Sequence, residues 1–230
     1  MTDVHCHVMG GDPGVREFLI GRDFVGVHPW EAAGLSLEDV RRKTEDLAAR
    51  LASQVPSPSV SRLGVGEIGL DRLRDREISP QMRELFEAQL RLAFEFRRPV
   101  VLHGAKCWGQ VVAAIRSLIP DPQSLIPSFL FHGFSRSDGL IPEIVKLNGY
   151  VSVGPAVLND HAVNYRELVK KIPLDRLLVE TDRTEESAAT CPSVRDVLAK
   201  TAELRGLSAA ELEAMTDRNA DDFMAMPLMG

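Results

Sequence analysis

Short runs of apolar residues alternate along the chain with longer segments in which apolar residues recur at helical spacing. This alternation is typical of β-strand and α-helix units that build a parallel sheet. Seven apolar runs have the length and the flanking turn residues of buried strands. We predict strands over 3–8, 24–29, 63–70, 99–104, 128–134, 149–154 and 176–182.

The amphipathic segments between these runs predict helices. Two of them carry clear start signals, because Ser36 and Asp39 have the spacing of a capping box and Pro80 stands at a first helical position behind Ser79. The predicted helices cover 36–54, 79–97, 108–119, 140–148, 161–172, 194–206 and 208–226.

So many alternating units predict an α/β fold, a TIM-type βα barrel, in which 15–21 supplies the eighth strand. The connection from His7 to Val15 is too short for a crossover helix, since parallel strands normally need a dozen or more residues between them. We therefore expect an abbreviated second unit. The chain is expected to form one domain over residues 1–230.

Composition narrows the classes of function. The 230 residues are 44% hydrophobic and 26% charged, an ordinary globular balance. The net charge of −6 provides no overall basic field for nucleic acid or for an anionic membrane. Three cysteines without a CxxC pair argue against a disulfide scaffold or a thiolate zinc site, and no apolar run approaches the roughly 20 residues of a membrane span. We expect a cytoplasmic protein without membrane contact.

Polar residues follow the predicted strands at their carboxyl ends. In a βα barrel these ends form the face that carries active sites. Any one of these histidines alone is more often an ordinary core or rim residue, but together they predict one pocket rich in metal ligands. The residues are His5, His7, His28, Glu67, His103, His132 and Asp182.

The first two of these histidines are separated by a single residue. Because side chains alternate across a strand, His5 and His7 would point to the same side. The whole set exceeds the needs of one tetrahedral ion, so it favours two ions, and Glu67 between two glycines is the residue expected to bridge them. For Asp71 we expect a local cap on backbone donors, not direct chemistry.

These stretches resemble the TatD-type metal-dependent hydrolases, a family described as deoxyribonucleases with an amidohydrolase-like barrel. The matching segments follow the family order from residue 3 to residue 223: DVHCHV, VGVHPW, GEIGLD, PVVLH, HGF, LLVETD and NADDF. The resemblance implies one metal ion held by His5, His7, Glu67 and Asp182, and a second held by Glu67, His103 and His132. It also implies that His28 is not a ligand and contacts the scissile phosphate.

The chain departs from the family pattern near the substrate. The span between the first two motifs is shorter than in typical members, which suggests a short subgroup, and HGAKCW lacks the arginine that is usual after this histidine. Lys106 and Arg183 are the candidates to replace that cation, with solvated loop charges as the alternative. Trp30 and Trp108 follow site strands and form either apolar pocket walls or ordinary packing.

The sequence thus favours a two-metal phosphodiester hydrolase for DNA ends or short nucleic acid. Zinc, manganese or magnesium ions would activate a water that Asp182 orients and deprotonates. The acidic charge and the 6% aromatic content disfavour long duplex DNA. Two alternatives remain open: a hydrolase of a cyclic amide, lactone or phosphotriester, and a non-catalytic barrel braced by metals. The sequence also leaves the oligomeric state open.

Overall fold

The computed structural model of the protein describes residues 1–53, 62–74, 76–119 and 126–225. Within these ranges strands and helices follow the predicted order. The strands are β1 (Thr2–Cys6), β2 (Arg16–Leu19), β3 (Phe24–Val25), β4 (Gly64–Asp71), β5 (Val100–Ala105), β6 (Phe129–Phe131), β7 (Gly149–Val153) and β8 (Leu177–Val179). The α-helices are α1 (Leu37–Ala52), α2 (Pro80–Glu95), α3 (Trp108–Leu118), α4 (Ile141–Lys146), α5 (Val163–Lys171), α6 (Val194–Arg205) and α7 (Ala209–Met224).

The predicted helix starts are present. The Ser36 hydroxyl accepts from the Asp39 amide while the Asp39 carboxylate accepts from the Ser36 amide, so the capping box of α1 is confirmed. Pro80 opens α2 behind the cap of Ser79. The predicted helix ends at residues 54 and 226 lie outside the described residues. None of the helices within the described ranges offers an apolar stretch long enough to traverse a bilayer.

All paired strands run parallel. β3 to β8 form a six-stranded sheet in chain order, and β1 pairs with β2. Ile20 bridges to Phe24 between β2 and β3, and the Asp182 amide donates to the His5 carbonyl at 3.0 Å where the chain leaving β8 meets β1. The strands therefore follow one another around a ring, and short runs of hydrogen bonds outside the regular ladders join the two sheets.

Two apolar clusters lie on the two sides of this ring. The larger one packs the helices onto the outer face of the strands. Inside the ring, each strand except β4 contributes one buried residue: Val4, Phe18, Phe24, Val101, Leu130, Tyr150 and Leu178. On β4 the inward position is Gly66, where an added Cβ would lie 2.7 Å from the Cβ of Val101. Phe223 of α7 stacks on Phe24 with ring centroids 5.9 Å apart and closes the amino ends of the strands.

The first two strands are not followed by helices. Residues 7–15 connect β1 to β2 and residues 20–23 connect β2 to β3, and neither connection contains a helix. The predicted abbreviation of the second unit is confirmed, and both connections lack the helix of a complete βα unit. The last helix, α7, packs against β1 and β8 and thereby brings the end of the described chain to its beginning.

Three strands, β3, β6 and β8, end three or four residues earlier than predicted. Beyond β3, the Val27 amide donates to Gln89 Oε1 at 2.7 Å and the Val27 carbonyl accepts from Gln89 Nε2 at 3.1 Å, so a side-chain amide replaces the neighbouring strand. Beyond β6, the Gly133 amide donates to Glu180 Oε1 at 2.8 Å. The backbone thus leaves the sheet where the site residues begin.

Candidate metal centre

The carboxyl ends of the strands bring all seven predicted site residues together. Three of them lie within strands: His5, Glu67 and His103. The other four follow β1, β3, β6 and β8 within three residues: His7, His28, His132 and Asp182. Six of the seven line one pocket of about 590 Å³, and His5 is fully buried.

Four side-chain atoms form a first ligand set. Asp182 Oδ1 lies 3.3 Å from His5 Nε2 and 3.6 Å from His7 Nε2. Glu67 Oε2 lies 3.6 Å and 3.5 Å from the same two nitrogens. Metal–ligand bonds of about 2.0–2.1 Å in a tetrahedral site separate neighbouring ligand atoms by roughly 3.3 Å. The spacing therefore fits one divalent ion, and neither ring nitrogen of His5 has a hydrogen-bond partner among the described residues.

The other oxygen of Glu67 faces a second set of imidazoles. Glu67 Oε1 lies 2.6 Å from His103 Nδ1, 2.8 Å from His132 Nε2 and 3.5 Å from His28 Nε2. Each oxygen of this carboxylate thus has its own group of nitrogens. A carboxylate shared between two ions about 3.5–4 Å apart uses its oxygens in the same way.

Asp71 orients His103 from the side away from the centre. Asp71 Oδ2 accepts from His103 Nε2 at 2.8 Å and from Trp30 Nε1 at 2.8 Å. With its proton on Nε2, His103 presents the lone pair of Nδ1 to Glu67 Oε1. Two acceptors 2.6 Å apart need a proton between them in the metal-free protein, and an ion that replaces this proton would widen the spacing toward about 3.3 Å. Asp71 Oδ1 accepts two backbone amides of the following turn, so the predicted cap is present as well.

The charges of the centre are arranged around one carboxylate. Burial disfavours a charge on Glu67, but the nearby His132 charge and hydrogen bonds from three histidines outweigh burial and hold the pKa of Glu67 well below its usual value. Burial likewise lowers the pKa of His132, whereas Glu67 and Glu180 raise it well above its usual value. The pKa of His7 is raised by its hydrogen bond to Glu67. The site is therefore built to hold positive charge against Glu67.

Glu180 supports the centre, although sequence reasoning did not single it out. It is buried, and it accepts from the Gly133 amide at 2.8 Å and from the Ser152 hydroxyl at 2.6 Å. Its Oε1 also lies 3.8 Å from His132 Nδ1, which has no hydrogen-bond partner among the described residues. The sequence feature that could have indicated Glu180 is its position at the polar end of the apolar run LLVETD.

Asp3 is a second supporting residue without a role in the sequence analysis. Its carboxylate accepts from the Thr181 amide at 3.0 Å, from the Thr181 hydroxyl at 2.6 Å and from the His5 amide at 3.3 Å. Burial raises the pKa of Asp3 to about 7, and the bonds from Thr181 act in the opposite direction. Asp182 follows Thr181, so these bonds hold Asp182 and His5, two members of the first ligand set, in place relative to each other.

Two of the four predicted substrate residues face the centre. Trp30 is 48% exposed, lines the 590 Å³ pocket and has its ring centroid 4.7 Å from that of His28. Lys106 is exposed and lines a second pocket of about 840 Å³, which also reaches His103 and Asp182. The structure thus places an aromatic ring and a lysine in two pockets that share predicted metal ligands.

Trp108 belongs mainly to the core. It is 5% exposed and packs against Phe131 and Phe134, with ring centroids 5.5 and 5.4 Å away. It borders the second pocket from this buried position. This arrangement supports ordinary packing of Trp108 in the core more than a role as an apolar pocket wall.

Arg183 lies away from the two pockets. Its guanidinium is buried against Gly10 and next to Glu17, and among the described residues it lines neither pocket. Its backbone carbonyl accepts from the His7 amide at 2.8 Å. The structure therefore gives Arg183 a supporting position behind His7, whereas Lys106 lines a pocket that reaches His103, His132 and Asp182.

Comparisons with known proteins identify relatives of this chain by sequence and by structure. The family model of the TatD related DNases matches residues 22–225. The 3′-5′ ssDNA/RNA exonuclease TatD of Edwardsiella piscicida is 32% identical over 154 residues, which are 66% of this chain and 57% of that protein, so the match spans little more than half of the relative. The uncharacterized metal-dependent hydrolase YabD of Bacillus subtilis is 28% identical over 208 residues, 85% of this chain and 74% of that protein.

Solved structures share the fold. The TatD homolog YjjV of Escherichia coli has a TM-score of 0.75 at 23% identity, with 97% of both chains covered. An uncharacterized amidohydrolase of Saccharomyces cerevisiae has a TM-score of 0.68 at 16% identity, over 91% of this chain and 80% of that chain. The predicted TIM-type fold is confirmed by these neighbours. Because the family model covers residues 22–225, most of the chain and four of the six predicted metal ligands, the protein belongs to the TatD related DNase family.

Proposed function

We propose that the protein is a metal-dependent phosphodiesterase that hydrolyses short single-stranded nucleic acid from its 3′ end. The observation that carries the proposal is the position of Glu67, whose two oxygens face separate groups of ligand nitrogens. One divalent ion fits the spacing of the Oε2 group, and a second ion that shares the carboxylate would displace the protons held in the Oε1 group. The substrate and the direction follow the name of the Edwardsiella piscicida relative, 3′-5′ ssDNA/RNA exonuclease.

The ligand atoms suit several divalent ions. Imidazole nitrogens favour zinc, while a shared carboxylate also accepts manganese or magnesium. When bound, such ions would lower the pKa of an attacking water and offset the charge that builds on the phosphate. The family and the ligand groups support divalent metals in general, and the number of two ions is part of the proposal.

Asp182 is the residue that we assign to proton transfer. Its side chain is 47% exposed, so water and substrate can reach it, and its amide is fixed to the His5 carbonyl at 3.0 Å. Burial favours the neutral acid, but the adjacent His5 ring and the His132 charge outweigh burial and lower the pKa of Asp182. The ionised carboxylate accepts the proton of the water. The water oxygen then bonds to phosphorus while the ester bond breaks, and the leaving oxygen takes up the proton that Asp182 received, which yields a phosphate monoester and an alcohol.

His28 is placed as a hydrogen-bond donor toward the substrate. Its Nδ1 accepts from the Trp30 amide at 3.2 Å, so the neutral ring carries its proton on Nε2. This Nε2 lies 3.4 Å from His103 Nδ1 and 3.5 Å from Glu67 Oε1. A phosphate oxygen at the centre would accept from it. The geometry supports the non-ligand role that the family resemblance implies.

We also propose one domain over residues 1–230 in a reducing, cytoplasmic environment. The interior cluster combines residues from Val4 to Phe223, so both ends of the described chain belong to one core. The three cysteines are free, which fits a compartment that keeps thiols reduced. The cytoplasmic location stays a prediction.

One substrate panel tests the function against its alternatives. The metal-loaded protein is assayed with bis-p-nitrophenyl phosphate, single-stranded oligonucleotides, a lactone and a dihydropyrimidine-type amide. We expect turnover of bis-p-nitrophenyl phosphate and of the oligonucleotides, and a chelator should abolish it. Turnover of the lactone or the amide alone would select the competing hydrolase. If the metal-bound protein turns over none of these substrates, the result would favour a non-catalytic protein in which metals only stabilise the barrel.

A further inference from the structure

Two pockets of different charge meet at the metal ligands. One is the 590 Å³ pocket that contains Trp30, and the other is the 840 Å³ pocket that contains Lys106. Both are lined by His103, His132 and Asp182. A strand whose scissile phosphate lies at these ligands therefore extends into both pockets.

The 840 Å³ pocket is cationic. Lys106 and Arg136 follow β5 and β6, and both have left-handed backbones, with φ of 57° and 60°. Non-glycine residues in this conformation are uncommon and cluster at functional sites. Both side chains are exposed, and neither forms an ion pair or a hydrogen bond within the described part of the chain. Asp182, a predicted metal ligand, is the one acidic residue among those that line this pocket.

Arg136 also connects the cationic pocket to a larger surface. It lines a third pocket of about 960 Å³, which shares Gly133, Ser135 and Asp182 with the cationic one. The continuing strand of a nucleic acid has room there. Lys106 and Arg136 thus lie between the scissile position and the path of the remaining chain.

The 590 Å³ pocket has an acidic rim. Glu185 and Glu186 line it, and both side chains are exposed and without ion pairs among the described residues. Glu31 lines it too, but its carboxylate is paired with Lys43 at 3.1 Å. The two glutamates after β8 therefore dominate the charge of this rim.

The same pocket has an aromatic wall. Trp30 exposes about half of its surface, and a nucleic-acid base can stack on an indole whatever its identity. The Arg74 guanidinium lies 5.6 Å from the Trp30 ring centroid, but Arg74 is not among the residues that line the pocket. An uncharged nucleoside suits this pocket better than a phosphate.

We propose that the difference in charge between the cationic pocket and the acidic rim determines which end of the strand is degraded. The phosphate next to the scissile one binds Lys106 and Arg136, and the terminal nucleoside stacks on Trp30 with its free 3′-hydroxyl facing Glu185 and Glu186. A hydroxyl donates a hydrogen bond to a carboxylate, whereas a terminal phosphate is repelled by it. The inference rests on the proposed phosphodiesterase function and adds two substrate requirements, a neighbouring phosphate and a terminal hydroxyl.

The neighbouring phosphate is tested with a dinucleoside monophosphate and a trinucleotide that carries two phosphates. We expect kcat/KM to be about tenfold higher for the trinucleotide, and the preference to fall to about twofold in Arg136→Ala and Lys106→Ala. The salt dependence of log kcat/KM should also decrease by about 0.7 for each cation removed. Arg91→Ala, an exposed arginine of α2 outside these pockets, is the matched control and keeps the preference.

The terminal hydroxyl is tested with oligonucleotides that end in a 3′-hydroxyl or a 3′-phosphate. We expect the wild type to cleave the phosphorylated end at least about tenfold more slowly. The double variant Glu185→Gln and Glu186→Gln should narrow this ratio to about threefold or less, because the rim loses both negative charges. Glu84→Gln, on the exposed face of α2, is the control and leaves the ratio unchanged.

The two tests also separate this inference from the proposed function. A trinucleotide preference that survives in both cation variants would overturn the phosphate subsite. Equal cleavage of both ends by the wild type, or an unchanged ratio in the double glutamine variant, would overturn the acidic rim. Failure to hydrolyse bis-p-nitrophenyl phosphate with metal bound would instead contradict the phosphodiesterase itself.

Discussion

Asp71 Oδ2 and His103 Nε2 are 2.8 Å apart, so a buried carboxylate fixes which nitrogen of this histidine faces the centre. The ring cannot rotate or exchange its tautomer without losing that bond. A residue that the sequence suggested only as a cap thus also orients a predicted metal ligand. Partners of this kind commonly change metal affinity by about 10- to 100-fold when they are removed.

We therefore expect Asp71→Ala to weaken metal binding by about tenfold or more, since His103 loses its orientation. Asp71→Asn keeps an acceptor oxygen and should lose less. Competition with a chelator of known affinity measures the effect, and a thermal melt of each metal-free variant checks the cap. Equal affinities of the wild type and Asp71→Ala would show that the bond does not position His103.

Glu67→Gln should reduce both metal content and turnover. The amide keeps one oxygen but cannot serve both ligand groups, so we expect at most one ion per chain in place of two and a loss of turnover of at least about 100-fold. Elemental analysis and a metal-soaked crystal make the measurement, with Glu84→Gln as the surface control. A crystal in which Glu67 lies beyond coordination distance of both ions would refute the bridge.

Asp182→Asn and His7→Asn should respond differently to excess metal. A lost ligand weakens affinity, which mass action offsets, so His7→Asn should recover part of its activity as metal is added. A lost proton acceptor is not replaced in this way and costs about 10²–10⁴-fold in rate. Asp182→Asn should therefore bind metal and stay nearly inactive. Recovery of near wild-type turnover by added metal would leave Asp182 as a ligand only.

The two tryptophans should separate binding from stability. Trp30→Ala removes an exposed wall of the pocket, so we expect KM for oligonucleotides to rise about tenfold with a smaller change in kcat. Trp108→Ala removes a buried ring and should cost about 3–5 kcal/mol of folding free energy. Steady-state kinetics and chemical denaturation distinguish the two. A Trp30→Ala protein with unchanged KM would argue against stacking on this ring.

Metal binding should release protons and weaken as the pH falls. The pKa values of His7 and His132 lie above the ordinary histidine value in the metal-free protein, so both rings hold their protons to higher pH. An ion needs the neutral rings and must displace those protons. Calorimetry in buffers of different ionisation enthalpy should show at least about one proton released per chain near neutral pH. Affinity that is independent of pH would contradict this.

The convergence of the predicted ligands could be foreseen from the sequence because a parallel barrel places every strand end on the same face. His5 and Glu67 lie within strands whose direction follows from the alternating pattern, so their convergence needed no knowledge of the loops. Loop residues are different. Lys106 and Trp108 are two positions apart, yet one is exposed and the other buried, because the backbone turns at Lys106 with a φ of 57° before α3 begins.

Residues whose role depends on contacts between distant loops could not be found in this way. Glu180 acts through the Gly133 amide and the Ser152 hydroxyl, which come from other units of the barrel. Arg183 looked like a substrate cation beside Asp182, but the loop after β1 covers it with Gly10. In both cases the deciding contact is set by tertiary packing and leaves no local pattern.

Gly66 has a consequence for how activity is inherited among relatives. It is the inward position of β4, where a single methyl group would collide with Val101, and it directly precedes Glu67. An alanine at this position would force Val101 or the backbone beside Glu67 to shift, even where every predicted ligand is retained. The six predicted ligands alone are therefore an incomplete criterion for an active homologue. A glycine at the position of Gly66 has to be required as well.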